Sequence, residues 1–304
     1  MKRIFVAGAG GFIGKRTVKI LKTRGYNVIT SGKINFKNLN QAKIFFKKQK
    51  PQIIINCAID TGGISYVNKH PGEIFINNTL VSLNLQESAR LSGVEKLINI
   101  LSNSAYPPVN NGLLKEQFWG NGPMHESVLV IGSTSRHTYI NSMAFNRQFG
   151  IQYSNLIVGN VYGPDDYFDP EKSYALGALI RKIMDAKENS LKEVTVWGSG
   201  KPVRDWVYVD DLVEAFIKSI KTRTDPFPIN ISSGIGISIK KLALMIQVAA
   251  GFRGKLVFDT SKPDGSPYKV MDTSYCKKVF NWVPKTKIED GIKKTITWYN
   301  KNIL

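Results

Sequence analysis

Three glycines near the N-terminus have the spacing that a phosphate-binding turn requires. Gly8, Gly11 and Gly14 follow an apolar run and lie where a helix should begin. Glycine permits a tight turn, lets the backbone approach a pyrophosphate and allows the helix to pack closely on the strand. The helix N-terminus then presents free N–H groups to the phosphates. The pattern predicts a dinucleotide cofactor, with contacts from Gly8, Gly11, Phe12, Ile13 and Gly14.

The end of the second predicted strand indicates which dinucleotide is bound. An acidic residue at that place would bind the ribose 2′-hydroxyl of NAD. The segment from Val28 to Lys33 has no carboxylate, but it carries Ser31 and Lys33, which could contact a 2′-phosphate. The sequence therefore predicts NADP(H). The alternative is that Lys33 is one more surface lysine.

Strand-like and helix-like segments alternate through the first half of the chain, which indicates βαβ units. We predict an α/β fold: a Rossmann-type doubly wound parallel sheet with a smaller C-terminal substrate lobe. The predicted strands are 4–7, 27–30, 53–57, 96–101, 154–158 and 195–197. The predicted helices are 15–24, 40–48, 71–92, 133–149, 173–187 and 209–221. Residues 1–165 should form mainly the cofactor domain and residues 166–304 mainly the substrate lobe, with some chain crossing back.

Composition narrows the range of partners. The 304 residues carry a formal net charge of +19, but the lysines are scattered and form no basic arm. We therefore expect no nucleic-acid partner. The chain has no run of about 18 apolar residues, so we expect no membrane span. The two cysteines, Cys57 and Cys276, lack metal-ligand spacing, which predicts no metal site and fits a reducing, cytoplasmic setting.

Ordered motifs along the whole chain resemble the extended short-chain dehydrogenase/reductase family. Within that family they are most similar to the GDP-L-fucose synthases, NADP-dependent epimerase-reductases of a GDP-linked keto sugar. The motifs occupy residues 58–64, 77–78, 102–107, 145–150, 159–164, 196–204, 209–211 and 262–269. The resemblance implies a nucleotide-diphosphate sugar as substrate, with a GDP-sugar favoured. It also implies a homodimer, in which the long helices at 71–92 and 133–149 could pair with their copies.

The resemblance also assigns binding residues. Further cofactor contacts are implied at Cys57, Ala58 and Asn78. Substrate contacts are implied at Asn160, Lys182, Trp197, Arg204 and Lys269. A diphosphate needs several converging cations, and arginine can bind it bidentately. The alternatives are that Lys182 and Lys269 are solvated charges, and that Arg204 pairs with a neighbouring aspartate.

The catalytic pair of the family is absent. Members carry a tyrosine that exchanges a proton with the substrate and a lysine four residues later that lowers the pKa of that tyrosine. With residues 145–150 as the anchor, these positions fall at Ile131 and Ser135. Tyr139 cannot restore the pair, because Met143 follows at the lysine spacing.

The remaining catalytic roles are implied for other residues. Ser102 matches the hydroxyl that binds the substrate oxygen, while Ser104 and Tyr174 occupy the positions of the epimerase cysteine and histidine. His137, on the same helix as Ile131, could reach the cleft. Two functions remain open: an enzyme with altered acid–base groups, or an inactive homologue that binds cofactor and sugar nucleotide as a sensor or partner subunit.

Overall fold

A computed structural model describes residues 2–32 and 34–304. Lys33, which the sequence assigns to a 2′-phosphate, lies outside the described residues. The strands are β1 (Arg3–Ala7), β2 (Asn27–Thr30), β3 (Ile53–Asn56), β4 (Lys96–Ser102), β5 (Gln152–Val158), β6 (Asn160–Tyr162), β7 (Glu193–Trp197), β8 (Val203–Arg204), β9 (Trp206–Tyr208), β10 (Ile229–Ile231), β11 (Ile237–Ser238), β12 (Lys255–Asp259) and β13 (Tyr268–Lys269). The α-helices are α1 (Phe12–Thr23), α2 (Leu39–Gln49), α3 (Ile64–Lys69), α4 (Pro71–Leu91), α5 (Leu129–Phe149), α6 (Ala175–Glu188), α7 (Val209–Lys221), α8 (Ile239–Ala250), α9 (Ser274–Phe280) and α10 (Ile288–Asn302).

Six parallel strands form the main sheet, in the order β10-β5-β4-β3-β1-β2. The order reverses between β1 and β3, which is the switch point where doubly wound sheets bind ligands at the carboxyl ends of their strands. The predicted parallel, doubly wound sheet is confirmed. The chain crosses back after residue 165, because β10 pairs with β5 and α7 packs against α1.

Side chains along the buried strands point alternately to the two faces of the sheet, and each face has its own hydrophobic core. Ile4 and Val6 face a cluster with α1, α7 and α9, whereas Phe5 and Ala7 face a cluster with α2 and α4. Successive side chains of a strand point to opposite faces, so a strand covered by helices on both sides reads as one continuous apolar run. This explains why the strands were visible in the sequence.

A second core lies in the smaller lobe. Its buried side chains come from α6, α8 and α10 and from the parallel pair β7–β12. A short three-stranded sheet, β11-β8-β13, connects this lobe to the main sheet region and carries Arg204 and Lys269 side by side. These two cations are far apart in sequence, and the sheet register brings them together.

Helix boundaries differ from prediction mainly at N-termini. Helix α1 begins at Phe12 rather than Lys15, and α5 begins at Leu129 rather than Ser133. Glycines at positions 14 and 132 weaken the helical signal in both first turns. In the structure each glycine is needed for close packing, since a Cβ at either would overlap a neighbouring group. Within the described ranges, no helix combines the length and apolar character that crossing a membrane would require.

Candidate active site

The three glycines of the first turn have different structural roles. Gly8 has φ +70°, and a Cβ there would lie 2.6 Å from the Cys57 carbonyl oxygen. A Cβ at Gly14 would overlap the Gly8 carbonyl oxygen, so these two glycines allow β1, the turn and α1 to pack closely. Gly11 is the N-cap of α1, and its N–H donates to the Gly8 carbonyl oxygen at 3.0 Å. Gly11, Phe12 and Ile13 line the main cavity.

These roles predict opposite outcomes for two substitutions. Gly14→Ala should lower the melting temperature strongly, because the turn cannot relax around a Cβ that overlaps backbone. Gly11→Leu should leave the melting temperature nearly unchanged but abolish NADPH binding, because a Cβ at Gly11 meets only ordinary contacts at 3.5 Å and a longer side chain would enter the cavity. Thermal melts and calorimetric NADPH titrations measure both effects. Equal NADPH affinity in wild type and Gly11→Leu would exclude this turn as the cofactor site.

One cavity of about 730 Å³ joins the glycine turn to the smaller lobe. At the sheet end its wall contains Ser102 and Tyr174, and at the other end it contains Trp197 and Arg204. Small-molecule sites commonly have volumes of about 300–1,000 Å³ and a few converging polar groups in an apolar wall. The predicted catalytic and substrate residues all line this cavity: Ser102, Ser104, Tyr174, Asn160, Lys182, Trp197, Arg204 and Lys269.

Ser102 is held at the end of β4 by hydrogen bonds on two sides. Its backbone N–H donates to Ser135 Oγ at 3.0 Å, and its Oγ accepts from the Ser104 N–H at 3.1 Å. The Ser102 hydroxyl therefore keeps its own proton for a ligand in the cavity. Trp119 Nε1 donates to the Ser102 carbonyl oxygen at 3.2 Å and fixes this segment from the other side. Ser135, predicted from the sequence to stand at the family's lysine position, supports the backbone of Ser102.

Ile131, which the sequence alignment puts at the family's tyrosine position, is buried in the cavity wall. It packs against Val67 and Ile74, so this part of α5 supplies apolar surface and no proton. The alternative acids on α5 do not line the cavity. Tyr139 stacks edge-on against Trp119 with ring centroids 5.2 Å apart. His137 also lies outside the cavity wall.

Tyr174 lies at the N-cap of α6 and faces the loop after β3. Its hydroxyl is 2.5 Å from Thr61 Oγ1, and burial raises the pKa of Tyr174 to about 12. Asp60, the residue before Thr61, accepts from the Tyr66 hydroxyl at 2.9 Å, and its other carboxylate oxygen accepts from Asn77. The network fixes this loop. A tyrosine in this environment keeps its proton and cannot act as a base near neutral pH.

Asp166 is a residue of the cavity wall that the sequence analysis missed. It is buried, and desolvation raises the pKa of its carboxyl to about 8. Its Oδ1 accepts from the Tyr167 N–H at 2.7 Å. The sequence signal was weak, because Asp166 follows the Gly-Pro turn at 163–164 as one of two adjacent aspartates, a common composition for solvated loops.

The opposite end of the cavity is cationic. Arg204 donates to the carbonyl oxygens of Val203 and Ser266, and its remaining N–H groups stay available to a ligand. Burial lowers the pKa of Arg204 to about 10, and burial together with the Arg204 charge lowers the pKa of Lys269 to about 7. Two neighbouring cations held out of water form a site suited to an anion. The alternative in which Arg204 forms an ion pair is not observed among the described residues.

An exposed indole borders the cationic end. Trp197 is 57% exposed, and the Lys182 ammonium lies 4.8 Å from its ring centroid. Lys182 Nζ also donates to the Thr195 carbonyl oxygen at 3.1 Å, and Lys262 Nζ lies 5.7 Å from the same indole. Asn160 Nδ2 donates to the Asp205 carbonyl oxygen, which leaves its side-chain oxygen free to accept. A large exposed aromatic beside two cations offers a stacking surface for a nucleobase.

The other predicted cofactor residues have mixed positions. Cys57 lines the cavity, and burial raises the pKa of its thiol to about 12. Ala58 and Asn78 lie outside the cavity wall; Asn78 exchanges two hydrogen bonds with the Asp60 backbone and so holds the loop after β3. Within the described chain, no group of three or more His, Cys, Asp or Glu side chains is arranged to hold a metal ion.

Ser31 lies in a second, shallower pocket of about 460 Å³ at the end of β2. Three lysines of α1, at positions 15, 19 and 22, share its wall. They recur at i, i+4 and i+7 and therefore lie on one helix face. This cationic face was not singled out from the sequence, although its helical spacing could have identified it.

The fold and the cavity place this chain in a known class. Residues 4–232 match the model of the NAD dependent epimerase/dehydratase family, and the chain belongs to that family. This confirms the resemblance found in the sequence.

Three relatives indicate the branch of the family. GDP-L-fucose synthase 1 of Arabidopsis thaliana is 33% identical, covering 99% of this chain and 94% of the relative. A GDP-6-OMe-4-keto-L-xylo-heptose reductase from Campylobacter jejuni superposes with a TM-score of 0.92 at 28% identity, covering 99% of this chain and 98% of that structure. A GDP-mannoheptose C4 reductase from the same organism, solved with NADP bound, has a TM-score of 0.88 at 28% identity, covering 98% of both chains.

Proposed function

We propose that the protein is an NADP(H)-dependent enzyme that modifies a GDP-sugar, and that its step is reduction of a keto group with non-standard acid–base residues. NADPH supplies the hydride when bound. Ser102 donates a hydrogen bond to the keto oxygen, Arg204 and Lys269 hold the diphosphate, and Trp197 stacks on the base. Residues 1–165 contribute mainly the cofactor site and residues 166–304 mainly the sugar-nucleotide site.

One observation carries this proposal: a single cavity contains both the glycine turn and the Arg204–Lys269 pair. A bound dinucleotide and a sugar diphosphate would therefore meet at Ser102. The relatives' names agree, since they describe synthases and reductases of GDP-sugars. Epimerisation is less well supported, because Ser104 and Tyr174 lack the pKa values of a thiol and an imidazole.

The test uses NADPH with GDP-4-keto-6-deoxymannose, and product analysis by NMR in D₂O. Oxidation of NADPH with formation of a C4 alcohol supports the proposal. Deuterium at C3 or C5 of the sugar would report epimerisation, which we expect to be slow. Tight binding of both ligands without NADPH oxidation would favour the alternative of an inactive binding homologue, which rests on the sequence alignment that puts Ile131 and Ser135 at the positions of the catalytic pair.

NADP(H) rather than NAD(H) is proposed from the charge around the end of β2. Ser31 and three lysines of α1 surround the pocket there, and the pocket lacks an acidic residue among its described lining. A 2′-phosphate would neutralise the positive charge of these lysines, whereas a 2′-hydroxyl would leave the lysines without an anionic partner. Calorimetric titration with both cofactors, at low and high salt, compares the two affinities. Equal or tighter NADH binding would contradict this assignment.

Binding of the diphosphate should take up protons near neutral pH. The pKa of Lys269 is lowered to about 7 in the free site, and a nearby dianion will raise it again. At pH 8 the free Lys269 is mostly neutral and must gain a proton on binding, so GDP affinity should fall as pH rises from about 7. Calorimetry in two buffers of different ionisation enthalpy measures the uptake. Lys269→Met should remove most of it, while exposed Lys201→Met is the control.

A homodimer is proposed from an apolar face on the paired helices α4 and α5. The exposed side chains on this face are Phe75, Ile76, Leu80, Leu83, Ile140 and Met143. An exposed cluster of this kind in a monomer indicates a protein interface, and a second copy would cover it with the same residues. Light scattering at micromolar concentration should give twice the chain mass. Ile76→Glu with Ile140→Glu should give monomers, whereas Val248→Glu, on the exposed surface of α8, should not.

We also propose a cytoplasmic setting. Cys57 and Cys276 are both free thiols, as expected where the surroundings are reducing. Fractionation of cells that express the chain tests this assignment.

A further inference from the structure

Reduction of a keto group needs a proton donor, and α5 does not supply one. Near the glycine turn, the ionisable side chains in the described cavity wall are Cys57, Asp166, Tyr167 and Tyr174. The remaining ionisable groups of the wall lie toward the cationic end or, as with Glu171, pair with an exposed lysine at the surface. The donor is therefore to be found among these four.

Three of these four side chains are poorly suited to donate a proton to the keto oxygen. Burial raises the pKa of both the Cys57 thiol and the Tyr174 hydroxyl to about 12, so neither releases a proton easily. The Tyr167 hydroxyl lies against Gly11, 3.5 Å from where a Cβ would stand, which places it at the phosphate turn. Its ring also receives the Lys172 ammonium, at 5.2 Å from the centroid.

Asp166 differs in both position and surroundings. It directly precedes Tyr167, whose hydroxyl is beside the glycine turn, and its charge helps to raise the pKa of Tyr174. Its side chain is buried in the cavity wall, and one carboxylate oxygen is held by the Tyr167 N–H. Among the described residues the carboxyl forms no ion pair and receives no side-chain hydrogen bond. The second oxygen is thus available to a ligand.

We propose that the Asp166 carboxyl donates the proton to the reduced substrate oxygen, in place of the tyrosine that Ile131 replaces. The inference rests on the function proposed above. Hydride moves from NADPH to the keto carbon, the C=O π pair moves to oxygen, and that oxygen takes the proton of the Asp166 carboxyl. The products are the alcohol, NADP⁺ and the Asp166 carboxylate, which is protonated again from solvent after the products leave.

The ionisation of Asp166 fits this role. Desolvation raises its pKa to about 8, so the carboxyl is mostly protonated at neutral pH. Tyr174, at the start of α6, interacts electrostatically with Asp166, and Asp60 acts on the same tyrosine. The Lys172 ammonium lies over the Tyr167 ring and pairs with Asp60, and among the described residues no cation forms an ion pair with the Asp166 carboxyl. Turnover should therefore fall as pH rises through about 8.

The experiment measures NADPH oxidation with GDP-4-keto-6-deoxymannose across pH, together with calorimetric binding of NADPH and GDP. Asp166→Asn keeps an oxygen acceptor for the Tyr167 N–H but has no acidic proton. We expect kcat to fall about 10²-fold or more, as for loss of a general acid, with both affinities unchanged. The decline above about pH 8 should also disappear. Asp165→Asn is the matched control, since Asp165 is adjacent, lies outside the cavity wall and has φ +70°, which asparagine tolerates.

A rescue distinguishes proton donation from a merely structural role. Adding Ile131→Tyr and Ser135→Lys to Asp166→Asn should restore turnover, because the proton then comes from α5. If wild type turns over, but Asp166→Asn has the same rate and pH profile as Asp165→Asn, the inference is wrong and the proposed function stands. Absence of wild-type turnover despite binding of both ligands would instead overturn the proposed function, and the inference with it.

Discussion

The double variant Ile131→Tyr/Ser135→Lys is expected to reduce GDP-4-keto-6-deoxymannose about 10²-fold faster than wild type. This lies at the lower end of the range that general acid catalysis supplies, because Asp166 already provides a proton in the inferred mechanism. The residue at 131 lines the cavity, so a tyrosine there would face the keto oxygen. A lysine one helical turn later would lower the pKa of that tyrosine.

Each single substitution should have little effect. Ile131→Tyr alone leaves a buried phenol whose pKa no cation lowers, and Ser135→Lys alone removes the acceptor of the Ser102 N–H without adding a donor. Stopped-flow measurement of hydride transfer separates the chemical step from product release. Tyr139→Phe is the control, since Tyr139 packs on Trp119 outside the cavity. An unchanged rate in the double variant, with NADPH binding intact, would show that α5 does not face the reacting oxygen.

Replacement of Arg204 should produce the largest loss of substrate affinity. Arg204→Ala is expected to weaken GDP binding about 10²-fold, because charge-assisted hydrogen bonds contribute about 1.5–3 kcal/mol and about 1.4 kcal/mol corresponds to a factor of ten. NADPH affinity should not change, since Arg204 lies at the opposite end of the cavity from the glycine turn. Calorimetry with each ligand measures the two effects separately.

Two further variants test whether Arg204 binds the diphosphate through its guanidinium. Arg204→Lys keeps the charge but loses the fork that can bind two phosphate oxygens, so intermediate affinity is expected. Lys201→Ala removes an exposed cation three positions away and should bind GDP like wild type. If Arg204→Ala binds GDP normally, the diphosphate does not lie between β8 and β13, and the cationic end of the cavity has another ligand.

The fold could be predicted from the sequence because its signals are local. Strand β3 occupies Ile53–Asn56 of the predicted 53–57, and α7 occupies 209–221, since a buried apolar run and a strongly amphipathic helix are visible within a few residues. The family and the parallel sheet are confirmed. The NADP(H)-dependent, GDP-sugar-modifying function agrees with the names of the relatives.

The site was only partly predictable, because its geometry depends on distant contacts. Each predicted substrate residue lies in the cavity wall, and all of them except Lys182 lie within the long motifs. The implied cofactor contact of Asn78 stays a prediction, and in the structure its amide forms hydrogen bonds with the backbone of Asp60. Asp166 was missed because its burial depends on tertiary packing around the loop, and nothing local marks it as different from Asp165.

The two perturbed groups at opposite ends of the cavity have a consequence for the stability of the empty protein. Lys269 has a folded pKa of about 7, below its unfolded value of 10.5, so the penalty on the folded state grows as pH falls from about 10.5 to about 7 and is absent above that range. Asp166 has a folded pKa of about 8, above its unfolded value, so its stabilising contribution is present at low pH and is lost as pH rises through about 8. Between these values both side chains are largely neutral. The unliganded chain therefore buries the least charge on these two groups near neutral pH, and a bound diphosphate restores the charge of Lys269 while Asp166 keeps its proton for the substrate oxygen.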